Sequence, residues 1–323
     1  MKLKALSHYD NGLDTKFGDC ILLYGNDNLI VFDCGHSKHK ESIADFLEKS
    51  PAITSVSIVV SHNDRDHTGG ILPLLDYLYE NQHKYTVCVY SSLYLKDVDA
   101  ILEILDDKRR TREATKQHIL EKFNRIKEVV EKALEYSFSV VNAEVDASVA
   151  AGLATIVGPT VDEFATVVAQ AIEDDTVTQI EGETVMNAAS VQMQCDLDSS
   201  NSVLLCGDAT PNFLHDLDDY DIIQLPHHGQ YDNAIAVFDT LSNAGSKLFL
   251  ISDNTGSAKT SGGSEKLMQS DAKKGKRIKN TKNGIIELPE ASIYGCGGSK
   301  TPGGVIIPAS QRTGGYGAYY DIL

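Results

Sequence analysis

Positive charge is scarce in this sequence of 323 residues. Lys and Arg together number 29 against 46 for Asp and Glu, which leaves a formal net charge of −17 at pH 7. That balance argues against broad, non-specific adhesion to DNA, RNA or anionic membranes. It still permits a nucleic-acid substrate, because two divalent metals in a cleft would add about four positive charges where a phosphate would sit.

Long apolar runs are absent as well. Residues 1–8 lack the apolar core of a secretory signal, and no stretch reaches the length of a membrane span. We therefore expect a cytoplasmic protein with no membrane contact. The length suffices for one large α/β domain or two small ones, either with a well-buried core.

Closely paired cysteines are missing too. The six cysteines show no Cys-x-x-Cys spacing and mostly lie in apolar runs, so we expect buried, reduced thiols. Cys206 stands two residues before Asp208. On a strand these two side chains would face the same side, and the thiol could then approach a metal.

What the sequence does contain is a dense group of metal-capable side chains within residues 61–70. His62, Asp64, Asp66 and His67 follow the apolar run 57–60 and are closed by two glycines. A strand that opens into a polar loop can aim several ligands at one point. Imidazole and carboxylate together suit zinc, manganese or iron better than calcium or magnesium. A lone His-x-Asp would instead indicate a structural ion pair.

The first third of the chain alternates strand and helix. Residues 20–24 and 29–32 flank a Gly-Asn-Asp-Asn turn and predict a β-hairpin. Residues 53–60 form the predicted strand that leads into the group of ligands. Apolar spacing predicts helices over 39–48 and directly after the two glycines.

The second half repeats the pattern of a strand followed by polar residues. Residues 185–194 and 202–206 are strand-like, and the second run ends in Gly-Asp. Residues 221–225 end in Pro-His-His-Gly, and residues 247–251 end in Ser-Asp-Asn. Such strand ends can collect distant residues into one cleft.

Three other segments bear on the organisation of the chain. The apolar spacing of residues 96–136 predicts a long amphipathic helical segment. Three roles are open for this segment: a surface helix or helical hairpin, a lid, or a contact with a protein partner or a second copy of the chain. Residues 256–284 predict a mobile loop around one short helix. The Gly-rich residues 295–317 predict tight turns or a flexible substrate flap. We expect one domain over 1–323, with a helical insertion at 96–136 and a Gly-rich C-terminal segment at 295–323.

These motifs resemble the metallo-β-lactamase superfamily. The resemblance lies in His-x-Asp-x-Asp-His at 62–67, Leu-Leu-Cys-Gly-Asp at 204–208 and Pro-His-His-Gly at 226–229, and it covers roughly 15–95 and 150–260. Asp64 stands where many members have a second histidine. Aspartate at this position, together with the Leu-Leu-Cys-Gly-Asp and Pro-His-His-Gly motifs, resembles the hydrolase domain of ComEC-type competence proteins and their soluble relatives. The resemblance implies an α/β fold, an αββα sandwich with a helical insertion and with a metal site at one edge between the sheets.

The resemblance also implies roles for individual residues, on the positions that match its motifs. His62 and Asp64 would bind a first metal, and Asp66, His67 and His228 a second, with Asp208 bridging both. The family's late histidine usually sits in Pro-x-His, which favours His228 over His227 as the ligand. His227 would then contact the substrate, and Asp33 would orient a ligand imidazole. The cofactors would be two divalent ions, zinc or alternatively manganese.

Two departures from the family pattern affect the expected site. Many members supply another histidine between the first motif and the bridging aspartate, but here only His83 and His118 lie in that interval, and we expect both to be structural. The first metal would then be short of ligands, weakly bound or absent. ComEC-type relatives also carry Gly-His in the loop after the last core strand. Here that loop holds Lys259 and Thr260, for which we hypothesise contact with the substrate.

The sequence thus predicts a metal-dependent hydrolase that uses a metal-activated water. The resemblance favours a phosphodiesterase or nuclease, and the acidic composition favours a short nucleic acid or a small phosphodiester over long duplex DNA. Asp66 is the predicted group that orients the hydroxide or shuttles its proton. The alternatives are a lactone or thioester hydrolase of the same fold, with a β-lactam least favoured, and a non-catalytic subunit of a larger complex.

Overall fold

The computed structural model describes residues 1–6, 18–92, 98–105, 111–173, 179–180, 183–199, 201–253 and 263–290. All elements below belong to one compact unit, Met1–Pro289. The predicted substrate contacts Lys259 and Thr260 and the Gly-rich segment 295–323 lie outside the described residues.

Sixteen strands are present in the described part of the chain. In chain order they are β1 Lys2–Ala5, β2 Ile21–Gly25, β3 Asn28–Phe32, β4 Ser55–Val60, β5 Thr86–Ser91, β6 Ser139–Asn142, β7 Ser148–Val149, β8 Ala154–Gly158, β9 Gln179–Ile180, β10 Glu183–Thr184, β11 Gln192–Asp198, β12 Asn201–Leu205, β13 Ile222–Gln224, β14 Leu248–Ile251, β15 Arg277–Asn280 and β16 Ile286–Leu288. The first large sheet has the order β16-β1-β2-β3-β4-β5-β6, and the second has the order β15-β14-β13-β12-β11-β8-β7. Strands β9 and β10 form a separate two-stranded ribbon.

Eleven helices accompany these strands in the same described residues. They are α1 Ser37–Lys49, α2 Arg65–Thr68, α3 Ile71–Glu80, α4 Val98–Leu105, α5 Arg112–Lys122, α6 Asn124–Glu135, α7 Val161–Glu173, α8 Val185–Ala188, α9 Pro226–Gly229, α10 Tyr231–Thr240 and α11 Glu265–Gln269. None of them combines the length and the apolar character that a membrane span requires.

The helices cover the outer faces of the two sheets, and the inner faces pack against each other. Helix α3 illustrates the outer contact, since Ile71, Leu74, Leu75 and Leu78 share one helical face and are fully buried against the first sheet. Between the sheets, Phe32 and Val59 of the first belong to the same apolar cluster as Met193 and Leu205 of the second. A third cluster packs α10 against the outer face of the second sheet. The predicted α/β class and the four-layer αββα order are therefore confirmed.

The predicted hairpin is present as β2 and β3, paired antiparallel from Ile21 opposite Phe32 to Gly25 opposite Asn28. Asn26 supplies the positive φ of 53° that the two-residue turn requires. Both strands are almost continuously apolar because the sheet that contains them is covered on both faces.

Two predicted segments have a different structure. Residues 185–188 form a helical turn, and the strand begins only at Gln192, because the chain has to bend before it can enter the sheet. Val191 marks the bend, since its N–H donates to the Ser61 carbonyl at 2.8 Å. In 256–284, the described part contains helix α11 and also strand β15, which pairs parallel to β14 as an edge strand of the second sheet. Strand β15 carries Arg277 and Lys279, charges that suit an edge strand and that concealed the strand in the sequence.

Residues 96–136 supply three helices, α4, α5 and α6, between β5 and β6 of the first sheet. Their buried residues, among them Ile119, Ile126 and Val129, join the apolar cluster on the outer side of that sheet. This segment packs as part of the outer helical layer.

Parallel pairing decides where the polar loops lie. Strands β3 to β6 are parallel to one another, and so are β12 to β15. The carboxyl ends of parallel strands meet at one edge of a sheet, where open α/β sheets bind their ligands. The loops that follow β3, β4, β12, β13 and β14 all contribute to the centre described next.

Candidate metal centre

The six residues predicted as metal ligands come together at this edge. They are His62, Asp64, Asp66 and His67 after β4, Asp208 after β12, and His228 after β13. The imidazoles of His62, His67 and His228 are almost completely buried, and so is the carboxylate of Asp208. Asp64 and Asp66 are more open. The short helix α2 holds Asp66 and His67 within one turn, and Asp64 precedes it as the N-cap residue.

Four of these residues form a compact group around His67 and His228. His67 Nε2 lies 3.4 Å from Asp208 Oδ1, and His228 Nε2 lies 3.4 Å from Asp66 Oδ2. His228 Nε2 is also 3.8 Å from Asp208 Oδ2. Two ligand atoms about 2.1 Å from one tetrahedral ion are about 3.4 Å apart, so these separations suit shared coordination.

The group around His62 is slightly wider. His62 Nε2 lies 4.0 Å from Asp64 Oδ2 and 3.9 Å from Asp208 Oδ2. His227 Nε2 also lies 3.9 Å from Asp208 Oδ2. Opposite ligands of an octahedral ion with bonds of about 2.1 Å are about 4.2 Å apart. The three separations around His62 and His227 are shorter than this distance.

Asp33, for which the sequence analysis expected an orienting role, lies behind His67 and Ser61. Its carboxylate is fully buried and accepts from His67 Nδ1 at 2.7 Å, from the Ser61 N–H at 2.8 Å and from the Ser61 hydroxyl at 2.5 Å. The Ser61 oxygen lies 3.0 Å from His62 Nδ1 and can accept its proton in turn. Each imidazole therefore uses Nδ1 within the protein and presents Nε2 to the centre, the arrangement found in metal-binding histidines.

Asp19 plays the same part for His228, a role that the sequence reasoning missed. Asp19 Oδ1 lies 3.1 Å from His228 Nδ1, and the Ser252 carbonyl lies 2.9 Å from the same nitrogen. The other oxygen of Asp19 accepts from Gln224 Nε2 at 2.6 Å. The ligand atoms of Asp19, His67, Asp208 and His228 all lie within 4.8 Å of one another. Asp19 contacts the Nδ1 atom of His228, so we assign it the role of orienting the His228 ring. Asp66 lies on the Nε2 side of the same ring, and we assign it as the candidate metal ligand there.

The position of Asp19 depends on its neighbour Gly18. The Asp19 N–H donates to the Asp66 carbonyl at 2.9 Å, which joins the start of β2 to the ligand loop. Gly18 has a φ of +62°, and a Cβ there would stand 1.6 Å from the Asp66 carbonyl oxygen. Only glycine allows this approach. Asp19 precedes a strand instead of following one, so the strand-end pattern gave no signal for it.

Hydrogen bonding tests whether these residues fit a metal. In the described part of the chain, the buried atoms His62 Nε2, His67 Nε2, His228 Nε2 and Asp208 Oδ1 have no hydrogen-bond partner. Leaving a polar atom buried and unsatisfied costs about 1–3 kcal/mol, so four around one point call for an explanation. A divalent ion supplies one, because imidazole nitrogens and carboxylate oxygens are the donors that zinc and manganese accept. These three histidines and Asp208 therefore suit a divalent metal ion.

The electrostatic environment separates the three buried histidines. Burial and the neighbouring His67 lower the pKa of His62 to about 4, so its imidazole is neutral at pH 7. Burial by itself would lower the pKa of His67 and His228, but the surrounding carboxylates, Asp208 foremost, raise both well above the usual range. The same contacts act in reverse on Asp208, whose pKa is held well below its ordinary value despite burial.

The two flanking carboxylates differ as well. Burial would raise the pKa of Asp66, but contact with His228 and the charge of His67 hold it well below the usual range. Burial and the charge of Asp66 raise the pKa of Asp64, and the imidazoles of His67 and His227 oppose that rise. The imidazole of His227 therefore influences the charge of both Asp64 and Asp208.

His227 and His228 share an unusual backbone. Their φ angles are 50° and 56°, and Gly229 follows at 75°. A left-handed conformation costs a residue with a side chain about 1–2 kcal/mol. The turn is held by the His227 N–H, which donates to the Gly207 carbonyl at 3.3 Å, and by the ring of His228. Strain of this kind persists where the surrounding structure imposes it, commonly at functional sites.

Several candidates do not join the centre. The Cys206 sulfur lies 3.2 Å from the Gln224 carbonyl oxygen, inside the apolar cluster on the outer face of the second sheet. Gly207, with a φ of +53°, breaks the strand alternation, so Cys206 and Asp208 face different sides. His83 lies in the turn before β5, at the opposite end of the parallel strands, and His118 lies on α5. The proposed structural role of these histidines stays a prediction.

The ligand loop is also tied to the helical segment 96–136. The side-chain oxygen of Asn63 accepts from the backbone N–H groups of Arg125 and Ile126 at 3.0 and 3.1 Å. These two residues are in the first turn of α6, so Asn63 caps that helix. The start of α6 thus borders the loop that carries His62 and Asp64.

Comparison with known proteins finds similarity at the level of structure. No protein-family profile and no curated protein sequence matches the chain. Among solved structures, the chain is similar to the metallo-beta-lactamase fold protein YhfI from Bacillus subtilis, with 14% sequence identity, a TM-score of 0.42, and coverage of 78% of this chain and 85% of that chain.

Proposed function

We propose that this protein is a metal-dependent hydrolase of the metallo-β-lactamase superfamily that cleaves phosphodiesters. The proposal is carried by the convergence of three buried imidazole Nε2 atoms on the Asp208 carboxylate, none of them hydrogen-bonded within the described residues. Each imidazole has its other nitrogen engaged by the protein. This division of labour is expected of metal ligands and is unusual for structural histidines.

The residues have distinct tasks in the proposed reaction. A divalent ion held by these groups supplies Lewis-acid chemistry, lowering the pKa of water from about 15.7 to about 7. Asp208 is only 4% exposed, and its Oδ1 lies near His67 while its Oδ2 lies near His62, which suits a ligand shared by two ions. Asp66 is 21% exposed, so it can reach a water in the cleft, orient that water and take up its proton.

A phosphodiester substrate is supported by the resemblance to ComEC-type hydrolase domains and by local charge. Arg65 and Arg125 are exposed. Arg65 directly follows Asp64, and the backbone of Arg125 is bound to Asn63. Two arginines beside the ligand loop offer a phosphate local attraction in a protein with a net charge of −17. The overall negative charge favours a small or single-stranded substrate over long duplex DNA.

The test combines metal content with a substrate panel. Protein purified without chelator is analysed for transition metals, and the panel contains single-stranded DNA, RNA, cyclic nucleotides, a chromogenic phosphodiester, a lactone and a thioester. We expect phosphodiester hydrolysis that falls about 100-fold or more in Asp66→Ala and Asp208→Ala. Asp271→Ala, an exposed carboxylate on a surface ion pair, is the matched control and should keep full activity.

Three outcomes would contradict the proposal. Unchanged turnover in both variants would remove the assigned roles of Asp66 and Asp208. Hydrolysis of the lactone or thioester alone would leave the metallohydrolase and replace the substrate class. Less than about half an equivalent of metal would favour a non-catalytic subunit, since ligands of this type bind zinc tightly.

A further inference from the structure

The first metal position lacks a ligand if only the expected residues are counted. His62 and Asp64 serve it, and Asp208 is shared with the second position. His83 and His118, the histidines between the ligand loop and Asp208, lie elsewhere in the fold. His62, Asp64 and the shared Asp208 make three protein ligands, one of which is divided between two ions, and this leaves room for a further ligand at the first position.

The geometry points to His227 as the missing ligand of the first metal position, a role that rests on the proposed metal centre. His227 Nε2 and His62 Nε2 each lie 3.9 Å from the same oxygen of Asp208, Oδ2. The other oxygen, Oδ1, faces His67 Nε2 at 3.4 Å. Asp208 thus has His62 and His227 on one oxygen and His67 on the other, although His228 Nε2 also lies 3.8 Å from Oδ2.

The environment of His227 agrees with this assignment. Its imidazole interacts electrostatically with both Asp64 and Asp208, the two carboxylates of the first position. Its side chain is 18% exposed, against 3% for His228. His227 therefore stands at the open side of the centre, where an ion would also meet a substrate.

Two consecutive histidines reach the same carboxylate from this left-handed turn. Here both residues are left-handed, and their ring centroids lie 6.0 Å apart with planes at 63°. Both Nε2 atoms consequently come within 4 Å of Asp208 Oδ2. A backbone this strained needs a reason, and delivery of two ligands from one turn supplies it.

The competing role for His227 is contact with the substrate alone. The two roles differ in what happens without any substrate. A ligand changes metal stoichiometry and the coordination spectrum, whereas a substrate contact changes only the KM. Metal binding of the substrate-free protein therefore separates them.

The experiment uses the full chain in three variants. His227→Asn keeps a residue that tolerates the left-handed conformation, and His227→Gly removes the strain altogether, so at least one variant should fold. His83→Asn is the control, because His83 is exposed and lies away from the centre. Each protein is stripped of metal, checked for folding by circular dichroism, and titrated with zinc and with cobalt, whose visible absorption reports the ligand set.

We expect about two ions to bind the wild-type protein and His83→Asn, and about one to bind both His227 variants. The wild-type protein should show two cobalt absorption signals, one for each bound ion. One of the two signals should disappear in the His227 variants, and the other should remain. Full stoichiometry with unchanged affinity and spectrum in His227→Asn and His227→Gly would overturn the inference, and so would a wild-type protein that binds only one ion. Because no substrate is involved, failure to hydrolyse phosphodiesters would overturn the proposed function and leave this assignment standing.

Discussion

The Asp33 carboxylate accepts a hydrogen bond from His67 Nδ1 at 2.7 Å, and both side chains are completely buried. The two residues follow neighbouring parallel strands, β3 and β4, which places them side by side. This contact holds the His67 ring with its Nε2 directed at Asp208. The parallel pairing of β3 and β4 thus helps to orient His67.

We predict that Asp33→Asn weakens metal binding by about 10–100-fold, the usual effect of losing a carboxylate behind a ligand imidazole. The asparagine keeps the shape, but its amide group would oppose the donors that now reach Asp33. Affinity is measured by competition with a chelating indicator. Asp45→Asn, in an exposed ion pair on α1, is the matched control. Equal affinity in the two variants would refute an orienting role for Asp33.

The contact between Asn63 and helix α6 should be measurable as stability. Asn63→Ala removes the acceptor for two backbone N–H groups, and we expect a loss of about 1–2 kcal/mol in the free energy of unfolding. Urea unfolding of the metal-free protein is the measurement. Asn81→Ala provides the comparison, since Asn81 donates one side-chain hydrogen bond to the Tyr77 carbonyl at the end of α3. A loss for Asn63→Ala no larger than that for Asn81→Ala would mean that α6 does not depend on the ligand loop.

Metal binding should release protons near neutral pH. The pKa values of His67 and His228 are raised in the metal-free protein, so both carry protons that an ion must displace, whereas His62 with a pKa of about 4 carries none. We expect release of about two protons per protein at pH 7 and a metal affinity that rises with pH. A pH indicator in weak buffer measures the release. A pH-independent affinity between about 6 and 8 would contradict the assigned protonation.

The raised pKa values also set the pH dependence of stability in the metal-free protein. For a histidine whose pKa is raised on folding, the stabilisation is complete below the unfolded value of about 6.5 and is lost as pH rises through the folded value. His67 and His228 should therefore make the metal-free protein less stable as pH increases above that range. Bound metal should remove this loss, which thermal unfolding with and without zinc can compare.

Gly18 should be among the least replaceable residues near the centre. Gly18→Ala combines a left-handed backbone with a Cβ 1.6 Å from the Asp66 carbonyl oxygen, and we expect a loss above about 4 kcal/mol or failure to fold. Gly275→Ala isolates the backbone part, because Gly275 has a φ of +73° and no atom within 4 Å of the added Cβ. That control should lose only about 1–2 kcal/mol. Similar losses at both positions would show that the close approach to Asp66 is unimportant.

Local patterns anticipated much of the fold, because each reports a property of a short stretch of chain. Apolar spacing predicts the helix at Ile71–Glu80, and the turn chemistry predicts the hairpin around Asn26. Where propensity and context conflict, prediction failed. Val185–Ala188 is helical although it begins the run 185–194 that the sequence predicts as a strand, and Arg277–Asn280 is a strand although its charges suit a loop. Packing and edge position decide such cases.

The sequence by itself determined the α/β class and the set of polar strand ends that carries His62, Asp64, Asp66, His67, Asp208 and His228. It could do so because strand-then-ligand patterns are local and recur along the chain. Only the tertiary structure decided that Asp19 contacts His228 and that His227 lies near Asp208. Asp19 meets His228 across 209 positions of sequence, and His227 comes to Asp208 through a left-handed turn that no residue preference announces. The first relationship depends on the two sheets packing face to face, and the second depends on the parallel pairing of the neighbouring strands β12 and β13.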